Sequence, residues 1–275
     1  MKFSMGLYLG ANWGTVALYL VAALAGAGGV LFQSAGLERA GCRLAVAGVA
    51  LHTLAIAYWW CEVGHGPYLA PHEVLGSDAW IVMACFLAFA RLYPRVKPAA
   101  LFAFPAAFVL QALSLSYHPD VRAIPATFRS AWLALHVGLY KIALGTLVIG
   151  LSFAVFYLLK AHSGRQWLKR LPPLETLDVY SHRFAGFAFI FWTIGMLAGS
   201  FWAHQSWGRF WGWDPTETWS LITCLMFGAY LHLRRFFHWS GSRAAWFYLA
   251  CVLVSLISLF GMVTLSGSLH ADYFK

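Results

Sequence analysis

The feature that most constrains the fold is a series of long apolar stretches separated by short, charged connections. A helix that crosses a membrane needs roughly 20 apolar residues. Eight stretches meet or approach this length: 12–34, 44–61, 75–93, 99–117, 132–159, 184–203, 218–233 and 244–267. Only 11% of the residues are charged, against about 25% in soluble domains. The sequence therefore predicts an all-α, polytopic integral membrane bundle with about eight transmembrane helices, as a single membrane domain over 1–275. It excludes a soluble enzyme and a disordered chain.

The charges are divided unevenly between two sets of connections. One set holds 13 of the 19 lysine and arginine residues but only three of the ten acidic residues, and it comprises 35–43, 91–98, 160–183 and 234–243. This set carries a net charge of +10, and the rest of the chain −1. Since cytoplasmic connections are enriched in lysine and arginine, we expect this set in the cytoplasm and both termini on the outer side. A signal peptide over 1–28 would reverse this bias, so an uncleaved first span is favoured.

The densest functional signal is a tryptophan-rich segment, residues 202–219. It contains five of the 14 tryptophans, namely Trp202, Trp207, Trp211, Trp213 and Trp219. Asp214 can cap a helix that begins at Pro215, and Glu217 stands at the capping-box position. An aromatic belt at the membrane surface would account for the tryptophans but not for this shaped turn. A shelf of indoles suits a flat apolar ligand with a polar edge, and Arg209 supplies a cation beside it.

Histidines at two levels of the bundle are candidate metal ligands. His136 opens the fifth predicted span and His270 closes the eighth, so both lie at the outer boundary near the tryptophan-rich segment. His52 and His232 lie within predicted spans, where ionisable groups are costly and often functional. A packed, hydrogen-bonded histidine is the alternative for each of these two. A flat ligand, paired imidazoles and a nearby cation together suggest haem, whose iron takes axial histidines and whose propionates pair with arginine or lysine.

The run W-G-R-F-W-G-W-D-P-T-E-T-W at 207–219 resembles the WWD signature of haem-handling proteins in cytochrome c assembly. The runs at 230–234 and 267–270 are similar to the CcsA (ResC) branch, which is the membrane component of the System II cytochrome c synthetase. The segments 130–137 and 64–67 also resemble that branch, and the resemblance covers nearly the whole chain. The stretches that follow 67 and 270 depart from the usual family pattern.

The resemblance implies roles for individual residues. His136 and His270 would ligate haem iron on the outer side, and His232 would be an intramembrane ligand. In that family the second axial ligand beside His232 usually belongs to a CcsB (ResB) partner, so His52 is only an alternative candidate for this second ligand. The residues expected to hold the haem are Trp202, Trp207, Trp211, Trp213, Asp214, Pro215 and Trp219. The candidate partners of its propionates are Arg209, Lys141 and Arg129, and Arg234 is the candidate partner of a carboxylate on a ligand shared by His52 and His232. The residues expected to take part most directly in the reaction are His136, His270, Trp211, Trp213 and Asp214.

The resemblance also implies the activity: delivery of haem b and its covalent attachment to apocytochrome c on the outer face of the cytoplasmic membrane, or its thylakoid equivalent. Two thiols of a C-x-x-C-H motif add across the haem vinyl groups, and the chain, as part of a holocytochrome c synthase, would orient the haem. The expected partners are a CcsB/ResB-like membrane protein, apocytochrome c, a thioredoxin-like reductant of its thiols, and membrane lipid. Nucleic acid is not expected, because the overall charge of +9 reflects topology.

Three alternatives stay open at this point. A haem carrier similar to CcmC would bind haem without ligating it, although that branch is normally shorter. A HemX-like haem-pathway protein would have a similar length and act through protein contacts. A di-haem cytochrome b would need paired histidines on facing helices, and only His52 and His232 lie within predicted spans. The five cysteines form no C-x-x-C-H motif, so the chain is not itself a c-type cytochrome.

Overall fold

In the computed structural model, residues 4–121 and 124–261 are described, and every regular element in these two ranges is helical. The α-helices, numbered α1 to α8 in order, are Met5–Leu31, Ala35–Val63, Pro71–Leu92, Ala100–Ser114, Ala131–His162, Leu174–Trp207, Pro215–Phe236 and Gly241–Leu256. Short 3-10 helices occupy Pro94–Ala99, Ala126–Phe128 and Gln166–Arg170, and a π-helical turn occupies Ile257–Gly261. The predicted all-α fold is confirmed.

Seven helical segments within the described ranges are long and apolar enough to cross a membrane. They are α1, α2, α3, the segment Pro94–Ser114 that includes α4, α5, α6, and the segment Gly241–Gly261 that includes α8. The chain is therefore a multi-pass membrane protein. The predicted seventh span, α7, is not among them, because it is on average the least apolar of the eight α-helices. The side that each terminus faces stays a prediction.

Several helices extend well beyond the apolar stretches that predicted them. α2 begins nine residues before the predicted span, after Ser34, whose side chain accepts from the backbone N–H of Leu37 at 3.4 Å. α6 has 34 residues, so at about 1.5 Å per residue it is longer than the roughly 30 Å hydrocarbon layer. Basic residues that the sequence assigned to connections, such as Arg39 and Arg183, therefore lie on helices.

The chain divides into two compact units. Unit 1 spans 1–124 and contains α1 to α4, in which α1 packs against α2 and α4, and α3 packs against α4. α1 and α2 approach closely where Gly48 faces Tyr19, since a Cβ atom at residue 48 would lie 2.6 Å from the tyrosine ring. Between α1 and α4, Gln111 Nε2 donates to Asn12 Oδ1 at 2.8 Å. Small residues and interhelical hydrogen bonds are the usual means of joining helices in lipid.

Unit 2 spans 125–275 and contains α5 to α8. α5 and α6 form its main helix pair, and α8 packs against α5 and α7. Its core combines alanines on α5 and α6 with large rings, including Trp192, Phe227 and Tyr248. The small alanine side chains let helix backbones approach, and the buried rings fill the core between the helices. The organisation of both units as a single membrane domain stays a prediction.

Candidate functional site

The tryptophan-rich turn, residues 208–214, joins α6 to α7 and is fixed at both ends. α6 is capped by Gly208 at φ +73°, a left-handed conformation in which the Gly208 N–H donates to the carbonyl of His204 at 2.9 Å. Asp214 caps α7 by accepting from the backbone N–H of Thr216 at 2.9 Å. Glu217 Oε2 accepts from the N–H of Gly212 at 2.8 Å and from that of Asp214 at 3.2 Å. The predicted capping box and helix start are confirmed.

Within this turn, Trp213 projects outward. It is 69% exposed, and its backbone has φ +57°, in the left-handed region that tryptophan rarely adopts. That conformation costs roughly 1–2 kcal/mol. It is stable here because the amides on either side of Trp213 are both held by Glu217. The Trp211 ring meets that of Trp213 edge to face, with centroids 5.8 Å apart. The buried Trp211 Nε1 has no hydrogen-bond partner among the described residues.

The other tryptophans of the segment are placed differently. Trp202 is buried on α6, and its Nε1 donates to the carbonyl of Thr127 at 2.8 Å. Trp207 meets Trp202 edge to face, with centroids 5.0 Å apart. Trp219 lies half-buried on α7, one turn beyond Pro215. Trp202 is thus packed inside unit 2, whereas Trp213 is exposed, and a shelf of indoles that holds a ligand stays a prediction.

His136 lies in the second turn of α5 and is held in one orientation. Its Nδ1 is 2.8 Å from the carbonyl oxygen of Gly195 on α6. A carbonyl oxygen only accepts, so Nδ1 carries the hydrogen, and in the neutral ring the lone pair is on Nε2. The ring lies near-parallel to Trp202, with centroids 6.3 Å apart, and meets the edge of Tyr140 at 4.8 Å. A ring nitrogen that donates to a carbonyl is the usual arrangement of a metal-ligating histidine.

The start of α5 and the end of α6 are joined beside the turn. Ser130 Oγ donates to Gln205 Oε1 at 2.8 Å, and Trp132 stacks on Phe201 with centroids 4.7 Å apart. The His136 ring thereby lies beside Trp202, which in turn contacts Trp207, and their role as an outer haem site stays a prediction. The second predicted ligand, His270, lies outside the described residues.

The predicted partners of ligand carboxylates have different surroundings. Arg209 is exposed and folds over the turn, since a Cβ atom at Gly212 would lie within 2.5 Å of its Nη2. Arg129 is exposed just before α5, and Lys141 is half-buried on α5. Arg234 is already engaged at the other end of unit 2: its Nη1 and Nη2 donate to the two carboxylate oxygens of Asp178, each at 2.7 Å.

The two histidines that the sequence places within predicted spans lie in different units. His232 is exposed on α7 of unit 2, with its ring centroid 4.7 Å from that of Phe236. His52 is buried in unit 1, with Nδ1 3.3 Å from the hydroxyl of Tyr19. This contact agrees with the alternative in which His52 is a packed, hydrogen-bonded histidine and not a metal ligand. An intramembrane site at either residue stays a prediction.

A buried polar cluster in unit 1 was not assigned a role from the sequence. Glu73 Oε1 accepts from Trp59 Nε1 at 2.7 Å, and Oε2 accepts from the backbone N–H groups of Leu69 and Ala70 at 2.9 and 3.2 Å. His65 Nδ1 is 3.8 Å from the same oxygen. The signal available in the sequence was a proline at the first helical position of α3 followed by Glu73 at the third. Within the described ranges, no group of three or more histidine, cysteine or acidic side chains is arranged to hold a metal ion.

Comparison with known proteins gives a consistent family assignment. The family described as "Cytochrome C assembly protein" matches residues 96–270. A cytochrome c biogenesis protein CcsA of Guillardia theta is 33% identical over 249 residues, covering 80% of both chains. Proteins of the same name from Synechococcus sp. (strain RCC307) and Parasynechococcus marenigrum (strain WH8102) are each 31% identical, covering 83% of this chain and 83% and 84% of their own. The matched region contains α5 to α8, His136 and the tryptophan-rich turn, and the chain belongs to the cytochrome c assembly protein family.

Proposed function

We propose that the chain binds haem b at the end of unit 2 that carries the tryptophan-rich turn, and presents it for covalent attachment to apocytochrome c. The observation that carries the proposal is the His136 ring, whose Nδ1–H donates to the Gly195 carbonyl beside Trp202. Haem iron takes axial imidazole ligands through a nitrogen lone pair, which this tautomer places on Nε2.

The surrounding residues fit the other parts of a haem. The exposed Trp213 ring offers a flat apolar surface beside the macrocycle. Arg209 lies across the turn and can pair with a propionate. The unpartnered Nε1–H of Trp211 is a donor for which an acceptor on a bound ligand would compensate. His270 is proposed as the second axial ligand.

The proposed chemistry is an addition in which the chain positions the reactants. Each cysteine S–H of the C-x-x-C-H motif adds across one vinyl C=C, forming a C–S and a C–H bond with no net gain or loss of electrons. The thiols must therefore arrive reduced, which is the proposed task of a thioredoxin-like partner. The contribution of this chain is to hold the vinyl groups toward the incoming peptide, an effect of proximity and orientation. His136, His270, Trp211, Trp213 and Asp214 are the residues proposed to do so.

The proposed protein partners follow from the lengths of the connections between helices and from the exposure of His232. The longest segment between consecutive α-helices is 115–130, so recognition of the apocytochrome is assigned in part to a CcsB/ResB-like subunit. The exposed position of His232 on α7 supports a second, intramembrane haem ligand position completed by that subunit. We place the complex in the cytoplasmic membrane or its thylakoid equivalent, with the tryptophan-rich turn on the outer side.

The test is co-expression with a CcsB-like partner and an apocytochrome carrying one C-x-x-C-H motif. We expect haem that stays attached to the cytochrome after denaturing electrophoresis, and none on an apocytochrome whose two cysteines are changed to serine. His136→Ala is expected to reduce covalent haem at least about tenfold, whereas His162→Ala, at the far end of the same helix, leaves it unchanged. If haem co-purifies with the chain but none becomes covalent, the synthase proposal is wrong and the carrier alternative replaces it.

A further inference from the structure

We infer that Gly199 and the Gly195 carbonyl on α6 act as positioning elements for His136, fixing its tautomer and the direction of its Nε2 lone pair. This inference rests on the proposed function, because it assigns His136 to haem iron. It adds Gly195 and Gly199 to the residues that determine how His136 is held. Neither of them contacts the haem in the proposal.

Gly199 provides the space that the imidazole occupies. A Cβ atom built at residue 199 would lie 2.5 Å from His136 Cε1 and closer still to Nδ1. Carbon atoms of neighbouring side chains are normally about 3.5–4.0 Å apart. The ring can therefore lie against α6 in this pose only because residue 199 has no side chain.

The Gly195 carbonyl supplies the hydrogen bond that this space makes reachable. In an α-helix the carbonyl of residue 195 accepts from the N–H of residue 199, so the imidazole uses the second lone pair of the same oxygen. The Nδ1 to oxygen distance of 2.8 Å is that of a well-formed hydrogen bond. Donation from Nδ1 holds the ring orientation and makes Nε2 more basic, which strengthens its bond to a metal.

Two further sides of the ring are bounded by aromatic residues. Tyr140, one turn along α5, presents its ring at 72° to the imidazole, and its hydroxyl is hydrogen-bonded to Ser220 Oγ on α7. The same Ser220 accepts from Trp192 Nε1 at 3.0 Å through its carbonyl oxygen. Trp202 lies on the other side of the imidazole. The orientation of His136 is thus set by α6 and by Tyr140, whose hydroxyl is held by Ser220 of α7.

The first experiment compares Gly199→Ala with Gly186→Ala in the haem-loaded complex. Gly186 lies on the same helix, and a Cβ atom there meets no heavy atom within 4 Å. We expect Gly199→Ala to convert low-spin to high-spin haem, to allow carbon monoxide binding to the reduced form, and to raise the midpoint potential. Added imidazole is expected to restore the low-spin spectrum. Gly186→Ala is expected to match the unmodified complex.

The second experiment isolates the hydrogen bond and does not require Gly199→Ala to fold. In His136→Gly, the vacated space can admit free imidazole, which can donate to the Gly195 carbonyl, or 1-methylimidazole, which has no N–H once bound to iron. We expect imidazole to restore the low-spin spectrum at a concentration about fivefold lower than that needed with 1-methylimidazole. This ratio is taken after correction for the difference between the two ligands in binding to haem in detergent alone. If both ligands restore the spectrum at equal corrected concentrations, the hydrogen bond to the Gly195 carbonyl does not strengthen iron ligation and this part of the inference is wrong.

The outcomes separate the two proposals. If both His136→Ala and Gly199→Ala leave the spectrum and potential unchanged, His136 is not a ligand and the proposed function loses its main support. If His136→Ala abolishes the low-spin spectrum while Gly199→Ala leaves it intact, only the positioning inference is wrong.

Discussion

Glu217 acts at the residue scale by holding a strained turn in place. One of its carboxylate oxygens accepts from the amides of Gly212 and Asp214, and between these two residues Trp213 adopts φ +57°. An acidic residue in the first turn of a helix also interacts favourably with the helix dipole. The sequence predicted this capping box, but the unusual backbone of Trp213 follows from the hydrogen bonds that surround it.

We expect Glu217→Ala to lower the free energy of unfolding by roughly 1–3 kcal/mol, because it leaves two amides without their acceptor. It should also weaken haem binding, since Trp213 can then relax to a commoner conformation. The measurements are thermal unfolding in detergent and a haem titration. Glu175→Ala is the control, since Glu175 is an exposed acidic residue in the first turn of α6. A Glu217→Ala effect no larger than the control effect would contradict this role.

At the scale of elements, Asp178 joins three helices at the end of unit 2 opposite the tryptophan-rich turn. Its carboxylate on α6 accepts from both Nη atoms of Arg234 on α7 and from the backbone N–H of Gly241, where α8 begins. The sequence placed Asp178 and Arg234 in connections on the same membrane face, which explains why they can meet. It did not predict their pairing, and it offered Arg234 to a ligand carboxylate instead.

We expect Arg234→Ala to destabilise unit 2 by roughly 2 kcal/mol or more, because a mostly buried carboxylate loses a bidentate partner. The neighbouring Arg235→Ala is the control, since Arg235 is exposed. The measurement is the melting temperature of each purified variant in the same detergent. If Arg234→Ala instead weakens haem binding without changing the melting temperature, Arg234 serves the ligand rather than the helix junction.

At the scale of the whole molecule, the remaining prediction concerns orientation. The charge asymmetry predicts that the connection after α5 faces the cytoplasm and the tryptophan-rich turn faces outward. In a variant without native cysteines, we expect Trp213→Cys to react with a membrane-impermeant maleimide in intact cells, and Arg165→Cys to react only after permeabilisation. Both positions are exposed, so access depends on the membrane side. The reverse labelling pattern would invert the topology and move the proposed site to the cytoplasm.

The sequence alone determined the class of the protein, its helical content and the capped turn after α6. These depend on span length, charge distribution and capping residues, which are properties of short stretches of chain. Only the tertiary structure decided that His136 donates to Gly195, 59 residues away, and that Arg234 pairs with Asp178, 56 residues away. Such pairings depend on which helix faces pack together, and the apolar stretches of a membrane protein specify helices without specifying the faces that meet.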